Sequence, residues 1–257
     1  MVISILGILA ALTVPALKNL GKSNLNVSAA RQLLDDVGRA RLMAISHRTT
    51  VYMVFVPTNF WLPPLTASAN WVNGLSPDLK QRVTNLSEEQ LTGYTFISSG
   101  ALGDQPGNHA WRYLSTWQSL PDNSLIASWK FRPRGTFTSV NGVFAVNGFS
   151  AGNAIPFPSA TNAGPWPVLP FIAFNYLGQL TTNGTDPSYV DEYIPLAQGV
   201  VSHAIDAVTK QPVLQAVPAS GVSESPAGNS TSSTFNLVHI DALTGRARLE
   251  FQKLPSP

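Results

Sequence analysis

Met1-Val2-Ile3-Ser4-Ile5-Leu6-Gly7-Ile8-Leu9-Ala10-Ala11-Leu12-Thr13-Val14-Pro15-Ala16-Leu17 contains no charged residue, and the first charge is Lys18. Wound as an α-helix, this stretch spans about 25 Å, slightly less than a bilayer hydrocarbon core of about 30 Å. Its two hydroxyl residues, Ser4 and Thr13, can bond back to the helix's own carbonyls. A cleavable signal peptide would need a basic segment ahead of the apolar run and a small-residue cleavage site behind it. No basic residue precedes this run, and the helical pattern does not stop after it. Residues 1–17 therefore read as a membrane-spanning helix.

The pattern continues in another register. Over 24–47 the small and apolar residues Ala30, Leu33, Leu34, Val37, Ala40 and Ala44 recur three or four apart and share one helix face. Arg31, Asp35 and Arg39 lie four apart on another face, with Asp35 preceding Arg39 in the favourable order for a pair. A continuous helix through residue 47 would be about 70 Å long. Gly7 and Pro15 are its weak points, since Pro15 removes a backbone hydrogen bond, and neighbouring membrane helices tolerate such breaks.

The residues Ile3, Ile5, Leu6, Gly7, Ile8, Leu9, Ala10, Ala11 and Leu12, followed by Pro15, resemble the N-terminal helix of type IV pilins and type II secretion pseudopilins. Ala29 to Ala44 is similar to the next stretch of the H-type minor pseudopilins (the GspH/FimT group). The resemblance is strong over 2–17, moderate over 27–56 and weak beyond. One departure stands out: the family opens with a Gly–Phe cleavage site and a glutamate shortly after it, and this chain has neither. Either the start is truncated or misassigned, or the subunit is not processed in the usual way; truncation is the expectation, because the residues downstream of the gap fit the family pattern.

The remainder reads as β-rich. Thr49 to Val56 is β-branched and aromatic and ends at Pro57, which predicts a strand. Three segments have the form strand, glycine-containing turn, strand: Trp129–Phe131 into Thr136–Phe137, Phe171–Phe174 into Gln179–Leu180, and Leu237–Ile240 into Arg246–Leu249. Ser76-Pro77-Asp78 predicts a capped helix with Leu79, Val83 and Leu86 on one side, and Asn108 a second with Trp111 and Leu114 facing inward. Residues 57–75, 147–168 and 218–233 read as long insertions or loops, which often carry binding function or lie at an interface.

Composition narrows the function. Charged residues are 12% of the 257, about half the usual share, and the net charge is +2. A strongly basic, duplex-coating protein is disfavoured, and the 44% hydrophobic content excludes wholesale disorder. Cysteine is absent, which removes disulfides, thiolate metal sites and a cysteine nucleophile. No nucleotide-loop, zinc-protease or serine-hydrolase motif occurs, and His47, His109, His203 and His239 are scattered. Asn183, Asp186, Asp191 and Glu192 are oxygen ligands of the kind calcium takes, without the spacing of a calcium-binding helix–loop–helix. Arg246 and Arg248 share a strand face and could grip phosphates, as in a similar G-R-x-R of DNA-uptake minor pilins. Lys130, Arg132 and Arg134 could extend that surface, although Glu250 weakens it. The six tryptophans offer a ligand platform or, more ordinarily, core.

The expected architecture is α+β and pilin-like: an N-terminal helix over 1–48 packed on an antiparallel β head over 49–257. The resemblance implies a structural, non-enzymatic subunit, inserted once in the bacterial inner membrane with its head outside the cytoplasm, then assembled into a pilus or pseudopilus. Its partners would be other pilin or pseudopilin subunits, the inner-membrane assembly platform and a prepilin peptidase; no catalytic residue, cofactor or metal is expected. The rivals are a DNA-uptake minor pilin and a membrane-anchored secreted enzyme or carbohydrate-binding module. In-frame genomic DNA upstream of Met1 is expected to encode a basic leader ending in Gly, then Phe and a nearby Glu; a stop codon without that motif would rule out peptidase processing.

Overall fold

The computed structural model describes residues 27–66, 71–100, 104, 110–152, 155–162, 164, 166–214, 221–233 and 236–251. These residues form a mostly β architecture with helix α1 over residues 27–47 at its N-terminal end. The expected α+β fold built on one long helix is thus corrected: α1 is amphipathic and about 30 Å long. Among the described residues no helix is long and apolar enough to cross a membrane, so single-pass anchoring in an inner membrane is not supported. The run Ile3 to Pro15 lies outside the described residues, as do residues 24–26 of the expected amphipathic part.

Strand β1 (Val51–Phe55) explains most of the fold, because all five of its residues are buried. Successive side chains on a strand point to opposite faces, so such a strand must be covered twice. Val51, Met53 and Phe55 enter a core that contains α1, and Tyr52, Val54 and Val56 enter a second core. Its neighbours β2 (Gly93–Ser98) and β8 (Phe171–Phe174) divide alike: Tyr94, Phe96, Ile172 and Phe174 face α1, whereas Ile97, Phe171 and Ala173 face away. With β3 (Arg112–Tyr113), β4 (Gln118–Ser119) and β9 (Leu180–Thr181) they make one antiparallel sheet in the order β3-β2-β1-β8-β9, with β4 also on β2.

The long insertions cover the second face. Phe60, Trp61, Trp71, Val72, Ile155 and Phe157 are buried against it, joined by Val83 and Leu86 from α2 (Pro77–Leu86). Ser76 caps α2 through the Leu79 amide, with Pro77 in the first turn, as its sequence predicts.

The other face carries α1. Ala29, Ala30, Leu33, Val37, Ala40 and Ala44 are buried in the core there. The small residues let the helix axis approach the sheet closely. A buried phenol locks the register: Tyr94 donates to Asp36 and accepts from the Gln32 amide at 2.8 Å, and Gln32 also donates to the Ser119 carbonyl at 2.9 Å. Among the described residues Arg39 lies over the Phe96 ring, 5.7 Å from its centroid, rather than in the ion pair with Asp35 that spacing suggests.

A second antiparallel sheet closes the same core. It runs β11 (Val222–Glu224), β10 (Glu192–Val201), β12 (Asn236–Ile240), β13 (Ala247–Phe251), with β5 (Ser124–Ile126) also on β10. Ile126, Ile194, Leu196, Val238 and Ile240 are its contribution. The hairpins at 171–181 and 237–251 form as expected. The third does not: Ser128–Phe131 is a 3-10 turn, and the hairpin there joins β6 (Phe137–Val140) to β7 (Phe144–Asn147) through Asn141 and Gly142, both at positive φ. Trp111 to Leu114 carries strand β3 rather than a helix, and Asn108 lies outside the described residues.

Two leucines on α1 separate packing from propensity. Leu33→Ala is expected to destabilise the fold by about 2–5 kcal/mol, whereas Leu42→Ala, at a position 61% exposed, should stay within about 0.5 kcal/mol. Urea denaturation of both variants measures the difference.

Candidate functional site

The C-terminal turn of α1 meets the tips of two hairpins. In the β8–β9 turn, Asn175 Oδ1 accepts from the Leu177 and Gln179 amides at 3.0 Å each, and Gly178 adopts φ +78°. In the β12–β13 turn, Asp241 Oδ1 accepts from the Thr244 amide at 2.7 Å, and Gly245 adopts φ +62°. The glycines are required for contact as well as conformation: a Cβ on Gly245 would lie 2.0 Å from the Gly178 carbonyl oxygen, and one on Gly178 would lie 2.7 Å from Ile45 Cδ1. Arg41 Nε donates to the Thr244 carbonyl at 2.7 Å and ties the helix to this stack.

That frame holds several apolar side chains out to solvent. Leu42 and Ile45 on α1, Tyr176 and Leu177 on one turn, and Leu243 on the other are all exposed. Large apolar groups gathered at one end of a molecule and fixed by backbone contacts suit association with another protein surface.

Arg246 and Arg248 are both exposed, on and just before β13. Arg248 is engaged: its Nε donates to Glu250 at 2.8 Å and to His239 Nδ1 at 3.1 Å. His239 is nearly buried between two carboxylates, with Nε2 2.8 Å from Asp191 and Nδ1 3.1 Å from Glu250, and Tyr193 stacks on its ring at 4.5 Å. Nε2 faces Asp191 and Nδ1 lies between Glu250 and the Arg248 Nε–H, so the cluster ties β10, β12 and β13 together rather than presenting a free base. Its hydrogen bond to His239, and then Arg248, hold the Glu250 carboxyl below the usual range. Burial pushes the Tyr193 phenol up, with Asp191 and Glu250 adding to the effect.

Of the other cations expected beside these arginines, Lys130 and Arg134 are drawn onto Glu192, while Arg132 is exposed. Lys130 is fully buried: it pairs with Glu192, donates to the Asn147 carbonyl at 2.8 Å and sits 4.5 Å from the centre of the Phe149 ring. Burial pulls its amine below the usual lysine range, and Glu192 pulls it back. Arg134 takes the second Glu192 oxygen at 2.9 Å. A basic surface joining Lys130, Arg132 and Arg134 to Arg246 therefore does not form.

The four calcium-type ligands are dispersed by the same pairings. Glu192 is held by Lys130 and Arg134, Asp191 by His239 and the Ala242 amide, while Asn183 caps its own turn and donates to Asp186 at 2.8 Å. Among the described residues no group of three acidic or histidine side chains is placed to hold a metal ion. Of the tryptophans, Trp61 and Trp71 are buried and the other four are half-buried. The Trp71, Trp117, Trp129 and Trp166 indoles donate to Trp61, Pro158, Ser230 and Asn162, so these rings are structural. His47 is exposed, His203 lies 3.6 Å from Glu88, and His109 falls outside the described residues.

No family model, curated protein or solved structure matches the chain. Sequence reasoning missed the surface at the end of α1, whose signals were the turn sequences Asn175-Tyr176-Leu177-Gly178 and Asp241-Ala242-Leu243-Thr244-Gly245, each with exposed apolar residues at its tip.

His239→Phe keeps the stack on Tyr193 and removes both nitrogens. The Glu250 pKa is then expected to rise, measured by carboxyl carbon chemical shifts across a pH titration. The sign follows from the depressed value. In the native protein this carboxylate stabilises the fold above the usual glutamate range, and that contribution is lost as pH falls through the lowered value. In the variant the loss comes at higher pH.

Proposed function

We propose that the chain is a structural subunit, of minor pilin or pseudopilin type, that associates with copies of itself or with related subunits in a filament. The observation that carries this reading is the surface at the end of α1, where Leu42, Ile45, Tyr176, Leu177 and Leu243 are exposed on a backbone frame set by Gly178, Gly245 and Arg41. A rigid apolar patch meeting a different surface on the next copy gives a head-to-tail contact that does not close, which is how a helical filament grows. The resemblance of Ile3 to Pro15 to the pilin N-terminal sequence supports the same reading. The Arg246 and Arg248 pair lends the DNA-uptake alternative little support, because Arg248 is neutralised by Glu250.

Sedimentation velocity and negative-stain microscopy test the proposal. The purified chain should form concentration-dependent assemblies, and Leu177→Glu with Leu243→Glu should weaken them by about tenfold or more, equivalent to about 1.4 kcal/mol. The circular dichroism spectrum should not change, because both side chains are exposed. Arg246→Ala with Arg248→Ala should leave assembly unaltered. A chain that stays monomeric at high concentration, or a double glutamate variant that assembles normally, overturns the reading.

A further inference from the structure

A cleft of about 650 Å³ lies where the chain leaving α1, the residue before β3 and the turn after β9 converge. No aspartate or glutamate lines it. Arg48 does, and it occupies an unusual backbone position. The Arg48 amide donates to the Ile45 carbonyl at 3.3 Å and the Thr49 amide to the Ala44 carbonyl at 3.2 Å, the pair of bonds that closes a helix around a left-handed residue. Arg48 is that residue, at φ +49°, where glycine or asparagine is the usual choice. A cation suits a helix C-terminus, but any position in the last turn would serve without the strained backbone. Arg48 is exposed, and among the described residues its guanidinium has no carboxylate partner. Trp111 supplies a ring and a second donor. Its ring rests against Tyr52, with centroids 5.4 Å apart. The Trp71, Trp117, Trp129 and Trp166 indoles all donate within the fold, whereas the Trp111 N–H has no acceptor among the described residues. Thr49 and Ser99 add hydroxyls to the wall, and the exposed Tyr176 a further ring.

We propose that this cleft binds an acidic saccharide, with the Arg48 guanidinium paired to a sugar carboxylate and the Trp111 and Tyr176 rings against the sugar. The wall selects this ligand class. A guanidinium presents its donors in a planar fork that meets a carboxylate through two parallel bonds. Hydroxyls both donate and accept, so Thr49 and Ser99 can answer the hydroxyls of a sugar, whereas a purely aromatic acid would leave them unanswered. The C–H face of a sugar ring is apolar and suits an aromatic face, while the indole N–H reaches a ring or hydroxyl oxygen. The volume accommodates a short saccharide. Asp186, next in sequence to the lining turn, accepts from the Asn183 amide at 2.8 Å and does not line the cleft, so the charge of Arg48 is left for a ligand. Tyr176 also belongs to the surface at the end of α1, but Arg48 and Trp111 do not, so binding and assembly are separable.

Isothermal titration of the whole chain with trigalacturonate, a linear trimer of an acidic sugar, tests the assignment. Saturable binding is expected, and the uncharged trimethyl ester should bind about tenfold more weakly or worse. That comparison uses the unaltered protein and does not depend on any variant folding. Arg48→Asn supplies the readout that a structural role would not give. Asparagine tolerates the left-handed position, so the melting temperature should stay level or rise while trigalacturonate binding weakens about tenfold or more. Trp111→Phe keeps a ring against Tyr52, removes the N–H and should also weaken binding. Neither variant should alter sedimentation of the assemblies. Absence of binding at about 10 mM trigalacturonate, equal affinity for the ester, wild-type affinity in Arg48→Asn, or inorganic phosphate displacing the trimer at equal concentration would each overturn the proposal.

Discussion

The double burial of β1 is the constraint on which the rest of the structure depends. A strand of Val, Tyr, Met, Val and Phe with no exposed residue cannot sit on a one-sided sheet. One face is closed by α1 and the second sheet, the other by the aromatic insertions around Phe60, Trp61, Trp71 and Phe157. The long Pro- and Trp-rich segments are therefore a cover for apolar surface, which accounts for their aromatic content. Helix α1 packs through alanines at Ala29, Ala30, Ala40 and Ala44, so that its axis can approach a face already carrying Phe55, Tyr94, Phe96 and Phe174.

Polar groups then fix the arrangement that burial alone leaves loose. Tyr94 carries a hydroxyl into the first core, and that hydroxyl is satisfied only when Asp36 and Gln32 of α1 stand opposite it. Lys130 plays a comparable part between the β6–β7 hairpin and β10, meeting Glu192, the Asn147 carbonyl and the Phe149 ring at once. Breaking a buried pair of this kind strands a charge, so such groups penalise alternative packings strongly. The same ties decide what stays available to partners. Lys130, Arg134, Asp191 and Glu192, which read as candidate ligands for phosphate or calcium, are drawn into pairs, while Arg132, Asp186 and Arg246 stay exposed, as does the apolar rim at the end of α1.

The features legible in the sequence are those with local causes. The strand at Val51–Phe55, the hairpins at 171–181 and 237–251 and the helix after Ser76 are set by alternation, turn glycines and a capping hydroxyl within a few residues of each element. Trp129–Phe131 misled because its alternation resembles a strand, whereas Lys130 is placed by a carboxylate 62 residues away. The Asn141-Gly142 turn signal was present and points to the hairpin that does form, but it lay beside a stronger-looking glycine at Gly135. The apolar run that suggests a long helix lies outside the described residues, which are dominated by sheet.

The sequence by itself determined the local elements, the amphipathic face of α1 and the absence of cysteine chemistry, because periodicity, propensity and composition act over a few residues or over the whole chain regardless of its path. The tertiary structure alone decided which charges are spent and which surfaces remain. Glu192 meets Lys130, Asp191 meets His239, and the two hairpin turns meet at Gly178 and Gly245 only after the sheets have assembled. Partner choice between distant side chains follows from where burial places them, and spacing along the chain carries no record of it.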